Sequence, residues 1–137
     1  MPKKINQTNY TYAVGRRKSA VATVKLFKGK GESTVNKINV ATYFPQPSAL
    51  VDYSKPFVVT ETQNKYYFQA KVIGGGKEGQ LDALVLAISR ALKIIDEINF
   101  KPLLRTAGLL TVDSRVRERR MVGTGGKARR QKQSPKR

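Results

Sequence analysis

Apolar residues alternate with polar ones from Ser19 to Phe27, with Ala20, Ala22, Val24 and Leu26 on one side, which is the period of a half-buried strand. Gly29-Lys30-Gly31 is turn chemistry, and Ser33 to Asn36 supplies a short second strand that closes a hairpin on the first. Ile38 to Phe44 is too short to assign, and Pro45, Pro47 and Pro56 break the next stretch into loop with one turn of helix. Tyr66 to Ile73, aromatic and branched and bounded by glycines on its far side, reads as the best central strand. Leu81, Leu84, Val85, Ile88, Leu92 and Ile95 then recur at intervals of three and four, the stripe of a well-buried helix. Asp82 is placed in its first turn, and the pattern fades at Asn99. A shorter helix over Lys101 to Ala107 stops at Gly108, and Leu109 to Val112 makes a last short strand. The order predicts one α+β domain, a small sheet with helices on one face, over residues 1–113. From Ser114 to Arg137 only Val116, Met121, Val122 and Ala128 are apolar, so residues 114–137 form an extended tail whose burial alone does not offset its ordering entropy.

Charge changes this picture. The 137 residues hold 27 Lys plus Arg against 9 Asp plus Glu, a formal charge of +18. Residues 1–30 carry eight basic and no acidic residues, residues 31–100 seven of each, and residues 101–137 twelve basic against two acidic. A neutral middle with two cationic ends describes a folded body with basic arms, and charge concentrated in this way favours an anionic partner, nucleic acid first. With no His and no Cys, disulfides, thiolate nucleophiles, Cys/His zinc sites and imidazole catalysis drop out. No apolar run reaches the roughly 18–20 residues of a spanning helix. The opening Met1-Pro-Lys-Lys-Ile lacks the apolar core of a secretory signal and the amphipathic, Arg-rich stretch of a transit peptide, so the chain reads as working where it is made.

Gly74-Gly75-Gly76-Lys77-Glu78-Gly79 satisfies G-x-G-x-x-G between a predicted strand and a predicted helix. The ribose-binding carboxylate expected about 20 residues later, at the end of a second strand, has no candidate, and no Gly-Lys-Ser/Thr ending is present. These glycines are read instead as a sharp, close-packed strand-to-helix turn. The carboxylates do not pair for acid–base work: Asp96 and Glu97 are adjacent, while Asp113 and Glu118 sit among arginines and read as ion-pair partners. The chain is therefore not expected to be an enzyme, nor to need a cofactor, metal, membrane or small-molecule substrate.

Two basic constellations remain. Arg16, Arg17 and Lys18 precede a strand, where alternation turns at least one to solvent, and Tyr10 and Tyr12 upstream either stack on bases or simply pack. Arg115, Arg117, Arg119, Arg120, Lys127, Arg129, Arg130, Lys132, Lys136 and Arg137 share the tail with Glu118 alone as acid, and Gly123, Gly125 and Gly126 let it follow an irregular groove. Fully extended, the 23 residues from Arg115 reach about 75–80 Å. The excess of Arg over Lys suits bidentate phosphate contact and stacking on bases. Neutralising about eight phosphates gives a log–log salt slope of roughly six to seven.

Several short motifs stand in a specific order and spacing: Gly15-Arg-Arg-Lys-Ser-Ala-Val-Ala22, Gly74-Gly-Gly76 with Gly79-Gln80, Arg90-Ala-Leu92, Ala107-Gly-Leu-Leu-Thr111, Glu118-Arg119, Lys127-Ala-Arg-Arg130 and Lys136-Arg137. Together, from Tyr12 to Arg137, they resemble the S-nine family of the small ribosomal subunit. The resemblance implies a four-stranded sheet with an unusual left-handed strand-helix-strand crossover, since most are right-handed. It implies a structural place in the head of the small subunit beside other head proteins, with the body on 16S-type rRNA. By the same resemblance Lys136 and Arg137 reach the anticodon stem-loop of P-site tRNA. Arg16, Arg17, Lys18, Arg115, Arg117, Arg119, Arg120, Lys127, Arg129 and Arg130 are its expected rRNA-binding residues.

The chain departs from the family at several points. Gln133-Ser134-Pro135 replaces the usual aromatic-Ser before the final Lys-Arg, Val112 and Thr23 stand where Arg is common, and Thr124-Gly125-Gly126 replaces a more compact stretch. Abundant Lys, Ile, Asn and Tyr suit an AT-rich genome, so the expected location is a ribosome in a plastid stroma or a bacterial cytoplasm.

Overall fold

The computed structural model describes residues 9–126 and residue 128. Strands β1 (Tyr10–Arg17) and β2 (Ala20–Lys28) form an eight-pair antiparallel hairpin closed by Lys18 and Ser19, with Lys18 in the left-handed region at φ 54°. The predicted pairing of Ser19–Phe27 with Ser33–Asn36 is not formed. Strand β5 (Tyr66–Ile73) lies between them, matching β2 along its whole length, whereas β3 (Thr34–Val35) offers only two residues. Eight cross-strand pairs, five of them between apolar or aromatic residues, outweigh two. Gly29, placed in the predicted turn, instead follows the end of β2 at φ 121° and donates to the Lys65 carbonyl at 2.8 Å.

With Ile38–Asn39 as β4, the sheet order is β1-β2-β5-β3-β4, antiparallel except where β3 runs parallel to β5. It has five strands, one more than expected: Tyr10–Arg17 (β1) and Ile38–Asn39 (β4) are gained, and Leu109–Val112 is not a strand. The parallel step crosses through α1 (Val40–Tyr43) and α2 (Pro47–Val59). The prolines do not break α2 as expected. Pro47 takes the first helical position, where an N–H has no partner anyway. Pro56 falls in the last turn, where the carbonyl it leaves without a helical donor belongs to the exposed Asp52, and the Thr60 hydroxyl closes the helix end by donating to the Pro56 carbonyl at 2.8 Å.

The long helix α3 (Lys77–Ile95) begins before the apolar stripe does, at an uncapped Gly76, so Glu78 and not Asp82 occupies its first turn. It packs on the faces of β1 and β2, where Ala13, Gly15, Ala20 and Ala22 keep the strands low. At Gly15 the approach is closest: a Cβ there would lie 2.1 Å from the Ala83 carbonyl oxygen and 2.6 Å from the Ala87 nitrogen. Leu26, Phe68, Leu84, Ile88 and Leu92 fill the core between. Asp96 ends α3 and caps α4 (Glu97–Thr106), accepting from the Asn99 amide at 3.1 Å. That cap starts α4 four residues before the predicted Lys101. Gly108 stops it as expected, at φ 74°, with Leu109 N–H bonded to Leu104 O and Gly108 N–H to Arg105 O, a Schellman closure. Leu109–Val112 forms no strand. Leu109 and Leu110 instead pack half-buried against the core. No helix among the described residues is long and apolar enough to cross a membrane.

Candidate nucleic-acid interface

Strand alternation divides the first basic cluster. Gly15 and Arg17 point to the α3 side, Arg16 to the open side, and Lys18 sits exposed in the hairpin turn. Arg17 is only 16% exposed; its guanidinium lies 3.7 Å from Asp82 of α3 and 3.3 Å from Asp113, and donates to the Arg115 carbonyl at 3.2 Å. Arg115 in turn grips Asp113 as a fork, Nε to Oδ1 at 2.9 Å and Nη2 to Oδ2 at 2.7 Å, while its backbone N–H donates to Oδ1 at 3.1 Å. These bonds, the Arg115 side chain first, hold the Asp113 carboxyl well below the usual carboxylate range, and the Arg17 charge adds to them. Asp113 in return raises the Arg115 guanidinium above its ordinary value.

Two arginines and two carboxylates thus form a balanced latch joining strand β1, helix α3 and the root of the tail. A groove of about 430 Å³ runs beside it, bounded also by Arg16, Lys55 and Gly108. Arg16, Lys18, Arg117, Arg119 and Arg120 are exposed and make no ion pair among the described residues. Glu118, expected to pair like Asp113, likewise makes none there. Beyond it the Thr124 hydroxyl donates to the Met121 carbonyl at 2.7 Å, closing a local turn with Thr124 buried. Lys127, Arg129, Arg130, Lys132, Lys136 and Arg137 lie outside the described residues, as do residues 1–8.

The glycine run is packed against its own fold. Gly74 and Gly75 have φ of 76° and 64°, and a Cβ on Gly74 would lie 2.5 Å from the Ser19 carbonyl oxygen in the β1–β2 turn. Gln80 closes the loop, donating to the Gly74 carbonyl at 3.0 Å and accepting from the Tyr43 hydroxyl at 2.7 Å, while the Lys77 ammonium sits 3.4 Å from the Tyr43 ring centre. After α3 the chain enters α4 rather than a parallel strand, so the second half of a dinucleotide fold does not exist among the described residues. Nor do those residues hold a group of three His, Cys, Asp or Glu able to bind a metal.

Sequence reasoning missed Asp82 and Asp113 as partners of Arg17, because each meets it only through tertiary folding. The signal within reach was the alternation itself, which puts Arg17 on the same side as the buried Ala13 and Gly15.

Residues 15–137 match the family described as ribosomal protein S9/S16. The small ribosomal subunit protein uS9 of Ureaplasma parvum is 47% identical over 124 residues, covering 90% of this chain and 92% of that protein. That of Leifsonia xyli is 46% identical over 125 residues, 91% of this chain and 74% of its own, and that of Rickettsia africae 44% over 134 residues, 98% and 83%. The match begins at Gly15 and runs through the latch to Arg137: the chain belongs to the ribosomal protein S9 family.

Proposed function

We propose that this chain is a structural protein of the small ribosomal subunit, not an enzyme, that holds 16S-type rRNA with its cationic ends and sends its tail toward P-site tRNA. The observation that carries the reading is the latch. Arg17, Arg115, Asp82 and Asp113 neutralise one another at the tail's root and fix its departure point, while Arg16, Lys18, Arg117, Arg119 and Arg120 stay exposed. A tail anchored at one end and cationic along its length suits threading into folded RNA, where backbone phosphates are the main contact. Lys127, Arg129 and Arg130 extend this contact, and Lys136 and Arg137 are the proposed contacts to the anticodon stem-loop. Neighbouring proteins of the subunit head complete its surroundings. The bacterial relatives and the AT-rich residue usage favour a ribosome in a bacterial cytoplasm or a plastid stroma.

The test is binding of the intact chain, and of a chain cut after Ser114, to a transcript of the small-subunit head RNA across a salt series. The intact chain is expected to bind with a log–log slope of roughly six to seven that duplex DNA competitor does not abolish, and the cut chain with a much lower slope. Equal binding by both, competed by DNA, refutes the reading. For the tRNA contact, small subunits assembled with a chain lacking Lys136 and Arg137 are expected to hold P-site tRNA more weakly, and unchanged tRNA retention refutes that part.

A further inference from the structure

The face of the sheet opposite α3 carries no helix among the described residues. Its outward positions form cross-strand rows. In the first row Tyr10, Phe27 and Tyr67 lie side by side, with ring centres 5.6 Å and 5.1 Å apart, and partly bury one another. In the next row Tyr12 stands opposite Lys25, Lys25 opposite Gln69 and Gln69 opposite Thr34. Tyr12 is 53% exposed, and Lys25 leans toward the aromatic row, its ammonium 5.0 Å from the Tyr10 ring centre. The third row sets Lys71 opposite Thr23, diagonal to Lys25 at about 7–8 Å. A depression of about 780 Å³ opens beside these rows, lined by Lys25, Lys37, Lys71, Thr34 and Gln69 among others.

Among the described residues, no strand of the sheet contains an acidic side chain. Glu32, just before β3, is engaged by the Asn39 amide. Three lysines, hydroxyl and amide donors and an exposed aromatic ring therefore share one face without a carboxylate. A base paired in a duplex cannot lay its face on Tyr12, whereas an unpaired base can, with its phosphates on the lysines beside it.

We infer that this open sheet face is a second RNA-binding surface, taking an unpaired segment whose base stacks on Tyr12 and whose phosphates meet Lys25, Lys37 and Lys71. The inference rests on the RNA-binding reading above but concerns a separate surface. Arg16, two positions beyond Val14 on the same side of β1, joins this face to the end of the sheet where the tail departs.

The test titrates the full chain with a uridine decamer and, separately, with the head-RNA transcript, using amide NMR shifts and salt-dependent affinity. Three variants are compared: Tyr12→Leu, the pair Lys25→Gln and Lys71→Gln, and a tail variant with Arg117, Arg119 and Arg120 changed to Gln. All the changed residues are exposed, and circular dichroism melts confirm the fold. The decamer is expected to shift amides of the Tyr12, Lys25 and Lys71 rows. Tyr12→Leu should weaken it at least about fivefold, and the double Lys variant should lower the salt slope by about 1.4. If both sheet variants bind both RNAs like the unaltered chain while the tail variant loses affinity, the inference is overturned, the tail reading stands and the face is left to a protein neighbour. If no form binds either RNA, both readings fail.

Discussion

Gly15→Ala tests whether the spacing of β1 and α3 is set by the absence of a side chain. The backbone at Gly15 is not in the left-handed region, so an alanine there meets no torsional penalty. Without a packing conflict the change would stabilise the protein by about 0.4–1 kcal/mol, through lower entropy of the unfolded chain. The added Cβ, however, would stand 2.1 Å from the Ala83 oxygen and 2.6 Å from the Ala87 nitrogen, both helix backbone atoms. Restoring ordinary contact at about 3.5 Å requires α3 to retreat by more than about 1 Å. Overpacking of this kind costs about 1–3 kcal/mol or more, and a rigid helix backbone puts Gly15 at the upper end. The net loss of about 2 kcal/mol lowers Tm by roughly 6–12 °C for a domain of this size.

Gly79→Ala is the matched control. It lies inside α3, with the added Cβ 3.6 Å from the Arg17 carbonyl and 3.8 Å from the Ala20 Cβ, which is ordinary contact. Helix propensity then raises stability by about 0.8–1 kcal/mol and Tm by roughly 3–5 °C. Thermal unfolding followed by circular dichroism measures both in one buffer. A Gly15→Ala variant that melts at or above the unaltered chain refutes the argument, since opposite signs for two glycine-to-alanine changes are what the two Cβ environments require.

Asp113→Asn removes the acceptor shared by Arg17 and Arg115, so trypsin is expected to cut after Arg115 and Arg117 faster, as followed by mass spectrometry. The folded-state Asp113 carboxyl is depressed, so its contribution is complete above the ordinary Asp value near 3.9 and is lost only as pH falls through the lower folded value; tail protection should therefore stay flat from pH 8 to about pH 5. Arg17→Lys keeps the charge but not the planar fork that reaches Asp82, Asp113 and the Arg115 carbonyl together, and should expose the tail root nearly as much as Asp113→Asn in the same digest. Asp96→Ala deletes the α4 cap and should speed hydrogen exchange at the Asn99 amide without changing that of the α3 centre. Burial raises the Tyr53 phenol, so stability is complete below the ordinary Tyr value near 10 and falls as pH rises through the higher folded value; urea unfolding above pH 10 should show this loss in the unaltered chain and not in Tyr53→Phe.

How much of the fold is legible in the sequence depends on the strength of the local period. Tyr66–Ile73 matches its strand end for end, and the stripe from Leu81 to Ile95 lies wholly within α3, because each buries one face and repeats its signal several times. The β1–β2 hairpin is hidden because Lys18-Ser19 is a turn without glycine, while Gly29-Lys30-Gly31 offers a stronger turn signal at a place where the chain leaves the sheet. Prolines look like breakers in the sequence, yet Pro47 opens α2 at a position that needs no donor, and Pro56 in the last turn strands only the carbonyl of an exposed residue. Leu109–Val112 has strand composition, yet Leu109 and Leu110 pack against the core instead of pairing with a strand, and composition does not report on such neighbours.

The same limit applies to the interface, and Gly15-Arg16-Arg17-Lys18 shows its form. Charge alone groups the last three as one phosphate-binding patch. The strand's period of two separates them, since Gly15 and Arg17 face α3, where the missing side chain of one lets the helix approach and the guanidinium of the other reaches Asp82. Arg16 faces away, and Lys18 occupies the turn at positive φ. Moving the register by one residue would bury Arg16 under the helix and set Arg17 on the open face, so the latch would lose its donor and α3 its glycine at the same time. Four consecutive residues therefore carry one packing contact, one tail anchor and two exposed cations, and the glycine is as necessary to the placement of the charges as the charges themselves.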